Sequence, residues 1–254
     1  MAYSDFLAYL EQIYAEAGGG FPKFASPAGE LARDFARQFF AGATEVRLEY
    51  DSLENRRGYY NRYLVYVYAL KDGEWINYNL EAVRAGWSPY FSKYGYSVRF
   101  HQDFVEAQAE AQEAQRGIWS PSIRHYPDYE GRLPWWNRRG DAVEYFRAHH
   151  GDDPTYVIVG TDAGWERLPQ LEGQDIVIFG TLGDLHYDWE PPRAMIGHRR
   201  GDDFQIVAFR DGALEDLQLE RFAGEYFYMR GRLDFYRGSP QFVADYGLDM
   251  WIEP

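Results

Sequence analysis

An arginine lies within a tyrosine-rich stretch that alternates in character, Tyr59 to Leu70 (YYNRYLVYVYAL). The alternation predicts a strand, because successive side chains of a strand point to opposite faces. Arg62 would then share one face with Tyr66 and Tyr68. A guanidinium group presents a planar fork of N–H donors that binds phosphate or carboxylate. Arg62 is therefore the first candidate for a charged site.

A second stretch, Glu225 to Val243 (EYFYMRGRLDFYRGSPQFV), alternates aromatic and arginine side chains with apolar ones. We expect one face to be apolar and turned inward, and the other to carry Tyr226, Tyr228, Arg230 and Arg232. Aromatic rings stack on bases and arginines contact phosphates, so an exposed face of this kind can bind a single strand of nucleic acid. The alternative is that the arginines balance neighbouring carboxylates.

The elements that must position these residues follow from hydrophobic periodicity and turn signals. Helices are predicted at residues 3–17, 27–40, 101–116, 141–149 and 213–221, and residues 75–86 pass from strand to helix. Further strands are predicted at residues 44–50, 156–159, 175–181, 203–209, 226–235 and 242–244. Buried helical side chains are expected at Leu31, Phe35, Phe39, Phe104 and Val105. The short strands after residue 150 favour a small Greek-key barrel.

Residues 120–140 (SPSIRHYPDYEGRLPWWNRRG) differ from the regular segments on either side. Three prolines and several turn formers predict an irregular connector. Trp135 and Trp136 predict that it is ordered, since a flexible linker would be polar. The two rings could form a stacking platform or a wedge between domains, and the wedge is the interpretation that we favour.

The charge of the chain is divided unevenly. Residues 1–150 hold 17 Lys and Arg against 20 Asp and Glu, whereas residues 151–254 hold 9 against 20. Nucleic-acid binders usually carry a basic surface, because neutralised phosphates supply much of their affinity. The first part is compatible with a local basic patch. The acidic second part argues against a polyanion covering most of its surface, and it favours a protein partner there.

Other features limit the class of protein to which the chain can belong. The chain has 254 residues and 46% hydrophobic content, typical of globular domains, and no apolar run is long enough to cross a membrane. No cysteine is present, so disulfides and thiolate metal sites are excluded. No signal peptide is visible, and the histidines form no zinc pattern. We expect a cytoplasmic protein that has no membrane partner and no metal ligand identifiable in the sequence.

Four motifs in register give the first half a family resemblance. Residues 37–50 resemble the first helix and fourth strand of the thermonuclease (staphylococcal-nuclease-like) family, and YNRYLVYVY at residues 60–68 resembles its "YGRxLAYIY" strand. NYNLEAVRAG at residues 77–86 is similar to its "NxxLVRxGxA" helix, and EAQAEAQEAQRGIW at residues 106–119 to its closing "AExxAKxxxxGIW" helix. The resemblance implies an OB-type barrel.

The same resemblance implies a chemistry and roles for four residues. Enzymes of this family cleave phosphodiesters with calcium, which two aspartates hold, while a glutamate activates water and two arginines stabilise the transition state. Such a division of labour neutralises charge as it develops. Arg62 falls on the second arginine, and is the one catalytic candidate. Tyr90, Lys93 and Tyr94 fall in the loop that contacts the nucleotide.

The sequence departs from the family at its first three strands. The "DGDT" and "IDxPE" motifs, which carry the metal aspartates, the glutamate and the first arginine, do not occur before Pro27, where the acids are Asp5, Glu11 and Glu16. No cofactor is therefore identifiable; calcium would bind only if the site is completed elsewhere. Arg62 is either a retained phosphate-binding group or an arginine paired with a carboxylate.

The second half resembles an OB-fold of the nucleic-acid-binding type, on LEGQDIVIFG at residues 171–180 and on the stretch that begins at Glu225. The expected architecture is mixed α+β and mostly β. It has an N-terminal helical extension (1–26), an incomplete thermonuclease-like OB barrel with helices (27–119), a connector with a helix (120–150) and a second, C-terminal OB-fold barrel (151–254). Two functions stay open. One is processing or binding of nucleic acid, with single-stranded DNA or RNA as partner; the other is a non-catalytic scaffold for protein.

Overall fold

The computed structural model describes residues 26–58, 62–125, 128–199 and 202–253. Within them the fold is mixed α+β, with a three-stranded and an eight-stranded sheet. The predicted helix at residues 3–17 lies outside the described residues, as do residues 59–61 of the predicted strand. No helix in the described ranges is long and apolar enough to span a bilayer.

The first sheet is an antiparallel meander that lies among three helices. Its strands are β1 (Glu45–Tyr50), β2 (Val65–Lys71) and β3 (Glu74–Asn77), in that order across the sheet. The helices are α1 (Pro27–Phe40), α2 (Tyr78–Arg84) and α3 (His101–Glu113), followed by a 3₁₀ turn at Gly117–Trp119. Asn77 caps α2 by accepting from the backbone N–H of Asn79 at 2.9 Å. The strand-to-helix prediction for residues 75–86 is confirmed.

The predicted strand around Arg62 is shorter than expected. β2 begins at Val65, so Arg62 precedes it in a loop whose backbone pairs locally: the Gly58 N–H donates to the Arg62 carbonyl at 2.9 Å. An isolated bridge joins Arg57 to Tyr63, and the Arg57 guanidinium lies 4.0 Å from the Tyr63 ring centroid. Alternation alone could not show that this local pairing replaces the first part of the predicted strand.

Two predictions about buried helical faces are wrong. On α1, Leu31 is exposed, whereas Phe35 and Phe39 are half-buried and contact Tyr78 rather than a core. On α3, Phe104 is buried as predicted, but Val105 is exposed. Helical spacing identifies an apolar stripe, but the neighbours that cover it depend on tertiary packing.

The predicted connector is largely helical. Helix α4 (Tyr129–His150) begins twelve residues before the helix expected at residue 141 and contains Pro134. Asp128 caps it, accepting from Gly131 N–H at 2.9 Å. Proline removes one helical hydrogen bond. The helix nevertheless continues, because burial of Trp136 and Arg139 in the following turns stabilises it.

The second sheet accounts for most of the remaining chain. Its path is β11–β8–β5–β6–β7–β10–β9, and β4 pairs with β5 off this path. The strands are Tyr156–Ile158 (β4), Asp175–His186 (β5), Arg193–Arg199 (β6), Asp202–Val207 (β7), Tyr226–Arg232 (β8), Asp234–Tyr236 (β9), Ser239–Val243 (β10) and Asp249–Trp251 (β11). The accompanying helices are Asp162–Arg167 (α5) and Ala213–Asp216 (α6), with 3₁₀ turns at Leu168–Leu171, Leu219–Phe222 and Ala244–Tyr246. Strands β6 and β11 and helix α5 were not predicted.

The second sheet has apolar packing on both of its faces. One face encloses the main core, which includes Phe204, Phe227, Met229 and Phe242. The other is covered by α4, whose side chains pack on residues of β5 and β8 to form a second cluster: Val143, Phe146, Val177, Phe179, Tyr226 and Tyr228. Helix α4 therefore lies where the sequence pattern predicted an open surface.

Candidate nucleic-acid interface

The loop at residues 88–100, which the resemblance places at the nucleotide, is fixed at its C-terminal end. The Asp51 carboxylate accepts from the Ser97 hydroxyl at 3.0 Å, from Val98 N–H at 2.9 Å and from Arg99 N–H at 3.2 Å. Three hydrogen bonds to one carboxylate hold this part of the loop against the end of β1. The loop is thus supported by a residue that directly follows a strand.

Tyr90 belongs to this loop, but its side chain packs in the core and is not on the surface. Its ring is buried and stacks on Phe104, with centroids 4.9 Å apart. Its hydroxyl accepts from Ser97 N–H at 2.7 Å and lies 3.2 Å from His101 Nδ1. Burial raises the pKa of Tyr90 to about 12, partly offset by the Ser97 backbone hydrogen bond. Its surroundings are those of a core tyrosine, so the ring is not presented to a base.

Lys93 and Tyr94 form the accessible part of the loop. Tyr94 is 61% exposed, and the Lys93 ammonium lies 5.4 Å from its ring centroid and 4.9 Å from that of Trp135. The pKa of Lys93 is lowered, first by burial and then by the positive charges of Arg139 and Arg132. A cation beside an exposed ring can contact a phosphate and a base together.

Arg139 connects this loop to the second sheet. It is a buried residue of α4 whose Nε donates to the Lys93 carbonyl at 2.9 Å and whose Nη1 donates to the Gly224 carbonyl. Its guanidinium lies 4.4 Å from the ring centroid of Tyr226. The two regions chosen from the sequence, residues 90–94 and 226–232, therefore meet at one side chain.

Tyr226 and Tyr228 do face away from the main core, but their predicted exposure is wrong. Both are buried beneath α4, and Phe179 stacks on Tyr226 with centroids 4.8 Å apart. Their rings cannot stack on a base in this conformation. Alternation identifies the two faces of a strand but does not show what covers them. Here the covering helix, α4, begins in a segment predicted to be a connector.

Arg230 and Arg232 lie at the end of β8, beyond the part that α4 covers. Both are exposed, and the Arg230 guanidinium lies 5.7 Å from the ring centroid of Trp251. Arg62 is exposed too, in the loop before β2. The roles of these three arginines, like those of Lys93 and Tyr94, remain predictions.

No cluster of three or more His, Asp or Glu side chains suited to a metal ion occurs in the described parts of the chain. The buried carboxylate of Asp162, on α5, accepts from Arg56 N–H at 2.7 Å. Arg56 also pairs with Glu166 at 2.6 Å. These contacts join the turn after β1 to the second half of the chain.

Comparison with known proteins gives a family match over part of the chain. Residues 11–121 match the model of the family described as staphylococcal nuclease homologue. The match supports the thermonuclease-like domain predicted from the motifs. It ends before α4, so it leaves the second sheet unassigned. Comparison with curated protein sequences gave no significant match.

Solved structures add only weak similarities. One is "OBody AM1L10 bound to hen egg-white lysozyme", which is 14% identical, with 34% of this chain and 84% of that chain covered and a TM-score of 0.26. Another is "OBody AM3L15 bound to hen egg-white lysozyme", which is 16% identical, with 34% and 86% covered and a TM-score of 0.25. TM-scores this low do not establish a shared fold, so no conclusion about this chain is drawn from them.

The sequence did contain a signal for Arg139. Residues 132, 135 and 139 recur at helical spacing in RLPWWNRR, so a helix over them places Arg132, Trp135 and Arg139 on one face. The prolines and turn formers obscured that pattern. The Trp135 indole N–H donates to the Gly224 carbonyl at 3.0 Å and so joins α4 to the turn before β8.

Proposed function

We propose that this chain binds single-stranded nucleic acid through a nuclease-derived domain and that these 254 residues do not cleave it. The observation that carries the proposal is the match of residues 11–121 to a nuclease family, together with the exposed Tyr94 and the Lys93 ammonium beside it. Binding needs a cation and a ring; cleavage also needs a metal site and a base, whose motifs the sequence does not contain.

We also propose that the second half of the chain folds as an OB-type module. Two features support it: β10 pairs with β7 in parallel, and β8 and β9 are separated by Leu233 alone. If β8 and β9 act as one strand, β5, β6, β7, β10 and that strand form a ring of five, as in an OB-fold. Arg230, Arg232 and Arg62 are the further phosphate contacts that we propose.

Cleavage and binding are tested together. Labelled single-stranded DNA and RNA are incubated with the protein in calcium or in a chelator, and complex and product are separated on gels. We expect a complex whose affinity falls steeply with salt, because phosphate contacts release counterions, and no product. Calcium-dependent product that disappears with Arg62→Ala would overturn the non-hydrolytic part of the proposal.

A protein scaffold is the second candidate function, favoured by the acidity of residues 151–254, which hold 9 basic against 20 acidic residues. An acidic surface repels a polyanion and attracts a basic partner. If no single strand binds even at low salt, this function replaces the first.

A further inference from the structure

Helix α4 places cations beside Lys93 in the 88–100 loop. The helix itself lies outside residues 11–121, which match the nuclease family. Arg132, Trp135 and Arg139 lie at helical spacing on one side of α4, and Arg139 donates to the Lys93 carbonyl at 2.9 Å. Both arginines are close enough to Lys93 for their charges to lower its pKa, together with burial. Three like charges are thus gathered in a protein whose net charge is −14.

This cluster lacks the carboxylates that usually neutralise such charges. Among the described residues, the charges that act on Lys93 are those of Arg139 and Arg132 and include no carboxylate, and Arg139 donates to backbone carbonyls. Arg138, which lies next to Arg139 on the helix, does pair with Glu225, at 3.3 Å. Gathering cations costs free energy unless an anion offsets their repulsion. The Arg139 guanidinium is bound by the Lys93 and Gly224 carbonyls, so Lys93 and Arg132 are the cations that point to an anionic ligand.

Aromatic rings beside the cations narrow the class of ligand. Phe91 is 50% exposed and contacts Tyr94 with ring centroids 5.7 Å apart. Trp135 is half-buried, and the Lys93 ammonium lies 4.9 Å from its ring centroid and 5.4 Å from that of Tyr94. An acidic peptide needs the cations alone, whereas a single-stranded nucleic acid uses cations for phosphates and ring faces for bases.

We propose that Lys93, Tyr94, Arg132, Trp135 and Arg139, here called the α4 seam, form a binding site for the phosphates and bases of a single-stranded nucleic acid. Helix α4 supplies three of the five residues, so the site is not confined to the nuclease-like region. The inference rests on the proposed function, because it names the surface through which that binding occurs. Arg139 fixes the loop and Arg132 and Lys93 contact phosphate.

The test measures the affinity of a labelled oligothymidylate by fluorescence anisotropy across a salt series. Arg132→Glu should weaken binding about tenfold or more and reduce the magnitude of the log–log salt slope by about 0.7 for each lost phosphate contact. Tyr94→Ala should weaken binding about 5- to 150-fold and leave the slope unchanged, because stacking releases no counterion. Both side chains are exposed, so folding should be retained, and circular dichroism checks it.

Arg37→Glu is the matched control, since Arg37 is exposed on α1 and the substitution changes net charge equally. Binding within about twofold of the wild type is expected for it, because α1 contributes no residue to the seam and salt screens a charge that makes no phosphate contact. If the wild type binds and the seam variants bind equally well, the seam is overturned and the proposed function stands. The same holds if Arg37→Glu weakens binding as much as the seam variants do. If the wild type does not bind, both fail.

Polyglutamate as competitor separates an acidic protein partner from nucleic acid. Displacement of the oligonucleotide by polyglutamate, with no effect of Tyr94→Ala, would overturn the seam as a nucleic-acid site. Persistent oligonucleotide binding in excess polyglutamate, lost with Tyr94→Ala, would support it.

Discussion

At the scale of single residues, the nuclease-like region depends on two glycines in close contact. Gly86 and Gly117 both have positive φ, of 75° and 55°, and Ile118 N–H donates to the Gly86 carbonyl at 2.8 Å. A Cβ on Gly86 would overlap the backbone of Arg116, and one on Gly117 would overlap the backbone of Gly86. The end of α2 is thereby joined to the 3₁₀ turn that closes the region.

Replacing Gly86 tests the importance of this contact. Gly86→Ala should lower the free energy of unfolding by about 3 kcal/mol, because left-handed strain and a backbone clash add together. Gly42→Ala is the control: Gly42 has φ of 76° but open space around it, so about 1 kcal/mol of strain is expected. Urea unfolding measures both values. Equal losses for the two variants would show that the close approach contributes nothing.

Glu253 gives a second prediction, on pH dependence. Burial acts to raise the pKa of Glu253, but hydrogen bonds from His150 (2.9 Å) and the Trp251 indole (3.2 Å) bring it below its usual value of 4.5. A carboxylate with a lowered folded-state pKa stabilises the fold above its unfolded pKa, and this stability is lost as pH falls through the folded value. Glu253→Gln should therefore cost about 1 kcal/mol near neutral pH. The difference from wild type should vanish well below pH 4.5, as measured by urea unfolding at each pH; a constant difference would contradict the assignment.

At the scale of elements, local pattern set the type of most segments, and neighbouring elements set their exposure. Helix α1 was predicted at its exact bounds, yet its apolar stripe is only partly covered. The 88–100 loop has no regular structure, but Asp51 at the end of β1 orders it through three hydrogen bonds.

Removing the Asp51 carboxylate should release this loop. Asp51→Ala is expected to cost about 2 kcal/mol or more, since two backbone donors lose a charged acceptor. Hydrogen exchange should speed up at the Val98 and Arg99 amides in particular. Asp34→Ala is the control, because its pair with Arg37 is exposed and worth at most about 1 kcal/mol. Unchanged exchange at both amides would contradict this anchoring role.

At the scale of the whole molecule, two groups of contacts join the parts of the chain. The turn after β1 contacts α5, where the Arg56 N–H donates to the Asp162 carboxylate and the Glu54 carbonyl accepts from Ala163 N–H at 3.0 Å. Helix α4 makes the other group, in which Arg139 bonds to both the Lys93 loop and Gly224. The connector predicted from the sequence is thus a central packing element.

Arg139→Met tests that role. It keeps the apolar stem but removes the donor to the Lys93 carbonyl and leaves the Gly224 carbonyl with the Trp135 indole N–H alone, so a loss of about 2 kcal/mol is expected. The denaturant m-value should also fall, because partial separation of the two sheets exposes surface earlier. Arg138→Met, one residue away and 62% exposed at its side chain, should cost less than about 1 kcal/mol. Similar losses in the two variants would argue against Arg139 as the bridge.

The sequence by itself determined most helices and strands and, through the family resemblance, the nuclease-like region with the loop that holds Lys93 and Tyr94. These features depend on local patterns: helical spacing, alternation and ordered motifs. The three seam residues on α4, Arg132, Trp135 and Arg139, also lie at helical spacing in the sequence. The sequence also indicated, through Trp135 and Trp136, that residues 120–140 are ordered.

Only the tertiary structure decided which predicted surfaces are open. It buried Tyr90 on Phe104 and Tyr226 and Tyr228 beneath α4, and it began β2 at Val65, which leaves Arg62 in a loop. Burial of a strand face depends on what packs against it, and here the covering helix comes from a segment about 80 residues earlier whose prolines favour irregular structure. Packing energy from distant residues overrode that local preference, so periodicity could identify the faces but not their exposure.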